Sequence, residues 1–153
     1  MSKTLGKPED LAEISRRLGL LSEQSVRQWG KMTVNEMVCH LSDGFDFASG
    51  ELEVENVSTL WSRTAIRWLA LRAPLKWPKG VPTMPEIDPQ RDGTKPGEFA
   101  RDRERLETGF ETFVKAASEG RCGAHPFFGA LSRDEWFRWG YLHADHHLRQ
   151  FGH

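Results

Sequence analysis

The sequence is poor in cysteine, in excess charge of one sign and in long apolar runs. Cys39 and Cys122 are its only cysteines and lack CxxC spacing, which argues against a disulfide framework and a cysteine-rich zinc site. A formal net charge of −1 argues against general nucleic-acid affinity, because phosphate binding needs a concentrated excess of cations. The longest apolar stretch, around Leu60 to Leu75, contains three arginines and is too short to span a bilayer, and the N-terminus lacks the apolar run of a signal peptide. We therefore expect a cytoplasmic protein with no nucleic-acid partner and no membrane partner.

Valine and isoleucine are scarce and no segment alternates with period two, so strands are not needed and the fold class is all-α. The length of 153 residues suits a single domain, residues 1–153. Apolar spacing and capping signals predict a short N-terminal helix ending near Gly19, then four long helices over about 33–49, 59–72, 96–119 and 132–150. Four long helices with one extended crossover between the second and third describe a four-helix bundle.

A proline-rich segment separates the second and third of these bundle helices. Six of the eight prolines lie between Pro74 and Pro96, and each removes a backbone donor and biases the preceding residue toward extended conformations. We interpret the segment as a long crossover that packs on the surface or edges a pocket. Pro96 is expected near the first turn of the helix that follows.

The last predicted helix carries most of the histidines. Four of the six lie within Trp136–His153, and His143 and His147 are four residues apart, which places their Cβ atoms roughly 5–6 Å apart on one helix face. A helical wheel puts Trp136, Trp139 and Gln150 within about 60° of His143, so these three are expected to form a pocket or support the ligands. Two inward histidines at this spacing can share one metal ion.

A third ligand is expected from another helix, and His40 is the candidate because its helix belongs to the predicted bundle. Asp43, one turn further on, is expected to orient His40. His146 points about 60° away from His143 and is an alternative ligand. His125 is either a fourth ligand or a loop residue, and we favour the loop; His153 is expected to be disordered.

Two segments carry a resemblance to a known family. They read WGKMTVNEMVCHL and HPFFGALSRDEWFRWGYLHADHHLRQFG, and with a histidine in the first bundle helix and HxxxH in the last they resemble the DinB-like superfamily of four-helix metal proteins, in particular a bacterial branch with a C-terminal HxxHHLRQFG motif. The resemblance implies an up-down-down-up bundle, a homodimer, and a divalent metal, zinc or nickel, on His40, His143 and His147.

Characterised members of that superfamily are thiol-dependent S-transferases and isomerases, in which the metal activates a low-molecular-weight thiol. The resemblance therefore implies a metal-dependent enzyme that directs a thiol or water at a small electrophilic substrate, as an S-transferase or a hydrolase. The alternative is a non-catalytic stress protein that binds a metal or a small ligand.

A basic run with tryptophans follows the first bundle helix. Five cations lie between Glu55 and Glu86 with no acid among them, interleaved with Trp61, Trp68 and Trp77. We interpret the run as a solvated face with buried tryptophans; the alternatives are a site for an anionic substrate and a membrane-surface contact.

Overall fold

The computed structural model describes residues 2–73 and 76–153, and these residues are predominantly helical. The all-α prediction is confirmed at this level. The α-helices are α1 (Pro8–Gly19), α2 (Val34–Ser49), α3 (Arg67–Arg72), α4 (Phe99–Ser118) and α5 (Arg133–Gln150). Two short antiparallel strands, β1 (Ala124–His125) and β2 (Gly129–Ala130), were not expected from the sequence.

Both helices that carry the candidate ligands begin with a capping box. Thr33 accepts from the backbone N–H of Glu36 while the Glu36 carboxylate accepts from the backbone of Thr33, and Ser132 and Glu135 repeat the arrangement at α5. These reciprocal bonds pair donors that the first turn of a helix otherwise leaves free. The capping motifs read from the sequence thus set where α2 and α5 start.

The core is built largely from aromatic side chains. α2 packs along α4, and α5 contacts α1, α2, α3 and α4. Phe45 of α2 stacks on Phe113 of α4 with ring centroids 5.3 Å apart, and Trp139 of α5 meets both rings nearly edge-on. Such offset and edge-to-face pairs add to the burial of large apolar area. The histidines of α2 and α5 therefore project from helices that are fixed by close ring contacts.

The third helical stretch departs from the expected packing. Residues 60–72 are helical, but Ser62–Ile66 forms a π-helical turn ahead of α3. Trp61 and Trp68 are 72% and 63% exposed, so the expectation that these tryptophans are buried is wrong. A stretch that is apolar over most of its circumference does not reveal which side faces the core.

The described part of the proline-rich crossover, from residue 76 onward, is irregular apart from a 3-10 turn at Pro85–Ile87. Pro74 and Leu75, where the crossover was predicted to begin and the apolar stretch to end, lie outside the described residues. Pro96 precedes the next helix instead of lying in its first turn, because α4 starts at Phe99. No helix among the described residues is long and apolar enough to cross a membrane.

The C-terminal residue is held in place, contrary to the expectation of disorder. The carbonyl oxygen of His153 accepts from Arg17, and its Nε2 lies 2.8 Å from the hydroxyl of Ser25. Arg17 also pairs with Asp145 of α5 at 2.9 Å. These contacts fasten the end of the chain to α1 and its following turn.

Gly140 sets how closely α5 approaches α4. A Cβ added there would lie 2.8 Å from the side chain of Leu5 and closer still to the ring of Phe113. We expect Gly140→Ala to lower the free energy of unfolding by about 2 kcal/mol, because the core must shift to admit the methyl group. Urea unfolding followed by circular dichroism measures this change.

Gly19→Ala is the matched control, since a Cβ at the end of α1 meets nothing within 4 Å. It is expected to be neutral or slightly stabilising. Equal losses in the two variants would contradict the close-packing explanation.

Candidate metal centre

Three histidines from two helices meet in the interior. His40 comes from α2, and His143 and His147 from α5; they are only 4%, 6% and 9% exposed. Each offers one ring nitrogen, and these nitrogens all lie within 4.8 Å of one another. The group could therefore hold a metal ion.

Hydrogen bonds fix the protonation of two of the rings. His40 Nδ1 lies 2.8 Å from the carbonyl oxygen of Ile87, which can only accept, so Nδ1 carries the proton and Nε2 keeps its lone pair. The Gln150 amide donates to the carbonyl of Trp29 at 3.0 Å, which turns its oxygen toward His147 Nδ1 at 2.8 Å. His147 must then donate from Nδ1, and its Nε2 is also left as a free lone pair.

The remaining histidine completes the group at ligand distance. His143 Nε2 lies 3.2 Å from His40 Nε2. Two nitrogens bound to one tetrahedral zinc at about 2.0–2.1 Å are separated by about 3.3–3.4 Å, so the spacing fits a shared ion. In the absence of an ion, the same distance fits a hydrogen bond from His143 Nε2–H to His40 Nε2.

Burial keeps all three imidazoles neutral. The pKa of His40 is lowered because the charged form loses its hydration in the interior, although the Ile87 carbonyl opposes this shift. The pKa values of His143 and His147 lie well below the usual range for the same reason, strengthened by the neighbouring histidines. Neutral imidazole is the form that binds metals.

Aromatic rings wall the group. The Trp139 and Trp77 rings lie 4.8 and 6.2 Å from the His143 ring, and Phe45 lies 6.3 Å away. The His143 ring also occupies the space beside Gly44, where an added Cβ would lie 2.7 Å from its Cε1. The centre is thus a polar cluster inside an apolar shell.

One comparison with known proteins gives a match. A family model described as "Protein of unknown function (DUF1569)" matches residues 4–153, which include all three histidines. The chain belongs to the DUF1569 family. No curated protein and no solved structure matches it.

His146 of this DUF1569 protein lies beside the three histidines but is not a member of the group. Its ring centroid is 5.0 Å from that of His147, and it packs between Trp29 and Trp77 at 6.0 and 6.5 Å. Its buried Nδ1 has no hydrogen-bond partner among the described residues. Sequence reasoning missed Trp29 and Trp77, which lie in irregular segments where no periodicity assigns a side chain to a site.

Asp43 does not orient His40 directly, contrary to expectation. Its carboxylate accepts from the backbone and hydroxyl of Thr94 at 2.8 and 2.7 Å, and it pairs with Arg105 at 2.7 Å. Asp43 therefore fastens the end of the crossover to α2. That crossover also carries the Ile87 carbonyl, which accepts from His40. Asp43 therefore helps to orient His40 indirectly, by holding the crossover.

The other predicted pocket residues divide into two groups. Gln150 and Trp139 contact the histidines, as described, whereas Trp136 packs against Trp139 and His125, one layer away. His125 lies in β1 and accepts through Nδ1 from the backbone N–H groups of Phe127 and Phe128. His125 therefore lies outside the metal group, as predicted, but in a short strand and not in the loop that the sequence favoured.

The two cysteines are unsuited to nucleophilic chemistry. Burial raises the pKa of the Cys39 thiol to about 12 and that of Cys122 to about 11. A thiol is a poor nucleophile until it ionises, so both remain unreactive at neutral pH.

Replacing Gln150 by Leu should loosen the centre. His147 Nδ1–H and the Trp29 carbonyl would lose their partners, and we expect the free energy of unfolding to fall by about 2 kcal/mol. Urea unfolding measures the loss. Gln24→Leu, at an exposed position, is the control; an equal effect there would show that the network around His147 does not stabilise the fold.

His125 should make stability depend on acidity. Burial lowers its pKa from 6.5 to about 3. Between pH 6.5 and about pH 3, His125 is therefore protonated in the unfolded chain and neutral in the folded chain. The free energy of unfolding should therefore decrease as the pH falls below about 6.5, by about 1.4 kcal/mol per pH unit from this group. His125→Asn keeps an acceptor for the turn but cannot be protonated.

Urea unfolding of the natural protein and of His125→Asn, each at pH 6 and pH 5, tests this. The buried histidines of the metal group contribute equally to the pH dependence of the two proteins, so the difference between them reports on His125. The Asn variant should lose less stability over that interval. Identical losses in the variant and the natural protein would contradict the low pKa.

Proposed function

We propose that this chain binds one divalent transition metal ion through His40, His143 and His147 and uses it in a reaction of a low-molecular-weight thiol or water with a small electrophilic substrate. The reaction would be that of a thiol S-transferase or a hydrolase. The observation that carries the proposal is the convergence of three neutral imidazoles, two of them with Nε2 fixed as a lone pair.

The donor set favours particular metals. Three imidazole nitrogens suit zinc or nickel among the available divalent ions, and three protein ligands leave a coordination position for another molecule. When bound, such an ion lowers the pKa of a ligated water or thiol, so that a nucleophile forms at neutral pH.

The residues around the centre support chemistry with an external nucleophile. Trp77, Trp139 and Phe45 present apolar surface to His143, which limits the access of bulk water. Cys39 and Cys122 are un-ionised, so a thiol nucleophile would come from a small molecule. The His40 and His147 rings are held by Ile87 and Gln150 and would need no reorganisation to bind the ion.

The proposal includes the DinB-like topology. In it, α2, the helical stretch 60–72, α4 and α5 are the four bundle helices, in up-down-down-up order. The long crossover before α4 supports this order, because two consecutive helices that run in the same direction need a long connection.

A second candidate function is non-catalytic binding of a metal or small ligand, with the centre contributing stability. The observation in its favour is the burial of all three histidines under aromatic rings. A structural metal would raise the melting temperature strongly and leave the rate of the thiol reaction unchanged.

Metal binding is the first test. Protein prepared without an affinity-tag metal and dialysed against zinc or nickel is expected to retain about one ion per chain, measured by elemental analysis. His143→Ala should lower the metal affinity by about 100-fold or more, because it removes a ligand. His153→Ala, which changes a histidine outside the centre, should retain the ion; loss in both variants or in neither would contradict the assignment.

The activity is tested on the same preparations. Metal-loaded protein should accelerate the consumption of a small thiol by a haloalkane probe, and chelation should abolish the acceleration. Binding of the ion without any acceleration, with either thiol or water as nucleophile, would support the non-catalytic candidate instead.

A further inference from the structure

An exposed apolar surface lies on the helical stretch that precedes the crossover. Leu60, Trp61, Trp68 and Leu69 are 77%, 72%, 63% and 53% exposed, and we call these four residues the tryptophan surface. Single exposed apolar residues are ordinary on a soluble protein, but four large ones on one short helical stretch are not. Their exposure calls for a partner.

The charged residues next to the tryptophan surface along the chain have one sign. Between Glu55 and Glu86 the chain carries five cations and no acid. Arg72 is 63% exposed in its side chain, and Arg63, Lys76 and Lys79 are also exposed. Glu135 lies 3.7 Å from Arg72 and 3.8 Å from Arg67, so this single carboxylate offsets the charge of the five cations only in part.

Exposed apolar residues beside positive charges favour one class of partner. A symmetric contact between two copies would place the same cations opposite one another, which is unfavourable. Tryptophan and leucine beside lysine and arginine are instead the composition of helices that lie in the headgroup region of anionic bilayers. We propose that the tryptophan surface and its cations dock this protein onto an anionic lipid bilayer.

The docking would be peripheral. The stretch 60–72 is short, and no helix among the described residues is long and apolar enough to cross a membrane, so the contact would lie in the plane of the interface. The two tryptophans would enter the headgroup layer, and Arg63, Arg72 and Lys76 would face lipid phosphates or carboxylates. Lys79 lies over the Trp29 ring instead, 4.5 Å from its centroid. The sequence predicts no membrane partner because it lacks an apolar run that could span a bilayer; the exposure of Trp61 and Trp68 leads us to propose peripheral binding instead.

Co-sedimentation with vesicles tests the proposal on the full chain. Vesicles of phosphatidylcholine with phosphatidylserine should bind the protein at low salt, whereas pure phosphatidylcholine vesicles or high salt should not. The double variant Trp61→Ala and Trp68→Ala should bind roughly tenfold more weakly or worse. Arg72→Gln with Lys76→Gln should bind about 25-fold more weakly, at about fivefold for each removed cation.

Matched controls change other exposed positions. Leu20→Ala with Val26→Ala removes exposed apolar groups elsewhere, and Arg101→Gln with Lys115→Gln removes the same charge from α4. Both controls should bind as the natural protein does, and circular dichroism should show that all the variants are folded.

Four results would overturn the proposal. Three of them are the absence of binding to the anionic vesicles, equal loss of binding in the test and control variants, and equal binding to neutral vesicles. A dimer in sedimentation velocity that the Trp61 and Trp68 substitutions dissociate would likewise overturn it, because the surface would then join two copies. The tests need no metal and do not depend on the proposed reaction.

Discussion

A buried imidazole has two nitrogens, and the one that does not face a ligand needs a hydrogen-bond partner. In an apolar interior an unpaired N–H costs roughly 1–3 kcal/mol, so each partner supplied to the cluster stabilises it. His143 Nδ1 has no hydrogen-bond partner among the described residues. Here the Ile87 carbonyl supplies the partner for His40 and the Gln150 amide the partner for His147. The rest of the centre depends on these two bonds, since they decide which nitrogens point toward one another.

The crossover is folded tightly next to Ile87, whose carbonyl is the partner of His40. The Asp88 carbonyl accepts from the backbone N–H groups of Arg91 and Gly93, and a side chain at Gly93 would lie 2.7 Å from the backbone of Asp88. Asp43 lies one turn along α2 from His40, and its carboxylate accepts hydrogen bonds from Thr94 of the crossover. One helix thus carries both the imidazole and the carboxylate that anchors the loop orienting it.

Much of the centre was predictable from local pattern. Helical spacing places His143, His147, Trp139 and Gln150 on one face of α5, and capping boxes mark where α2 and α5 begin. A backbone carbonyl such as that of Ile87 leaves no trace in the sequence, so the partner of His40 could not be predicted. Trp77 was equally hidden, because nothing periodic relates a proline-rich segment to a helix face.

The errors have physical causes too. Asp43 lies one turn from His40, yet its carboxylate binds the crossover and Arg105, since a helix face offers a polar side chain several neighbours. For the stretch 60–72, apolar residues on most sides of the helix concealed which side is covered. The π-helical turn at Ser62–Ile66 alters the angular spacing that a helical wheel assumes.

The contact between Gly44 and His143 has a consequence for recognising such centres in other chains. The imidazole of one helix fills the volume that a methyl group would occupy on the other, so the two backbones come close only at a residue without a side chain. A chain that copies this centre must therefore carry glycine four positions after its first histidine, as His40 and Gly44 do here. The pattern HxxxG on one helix, paired with HxxxH on another, describes the interlocking of the two helices, which the ligands alone do not specify.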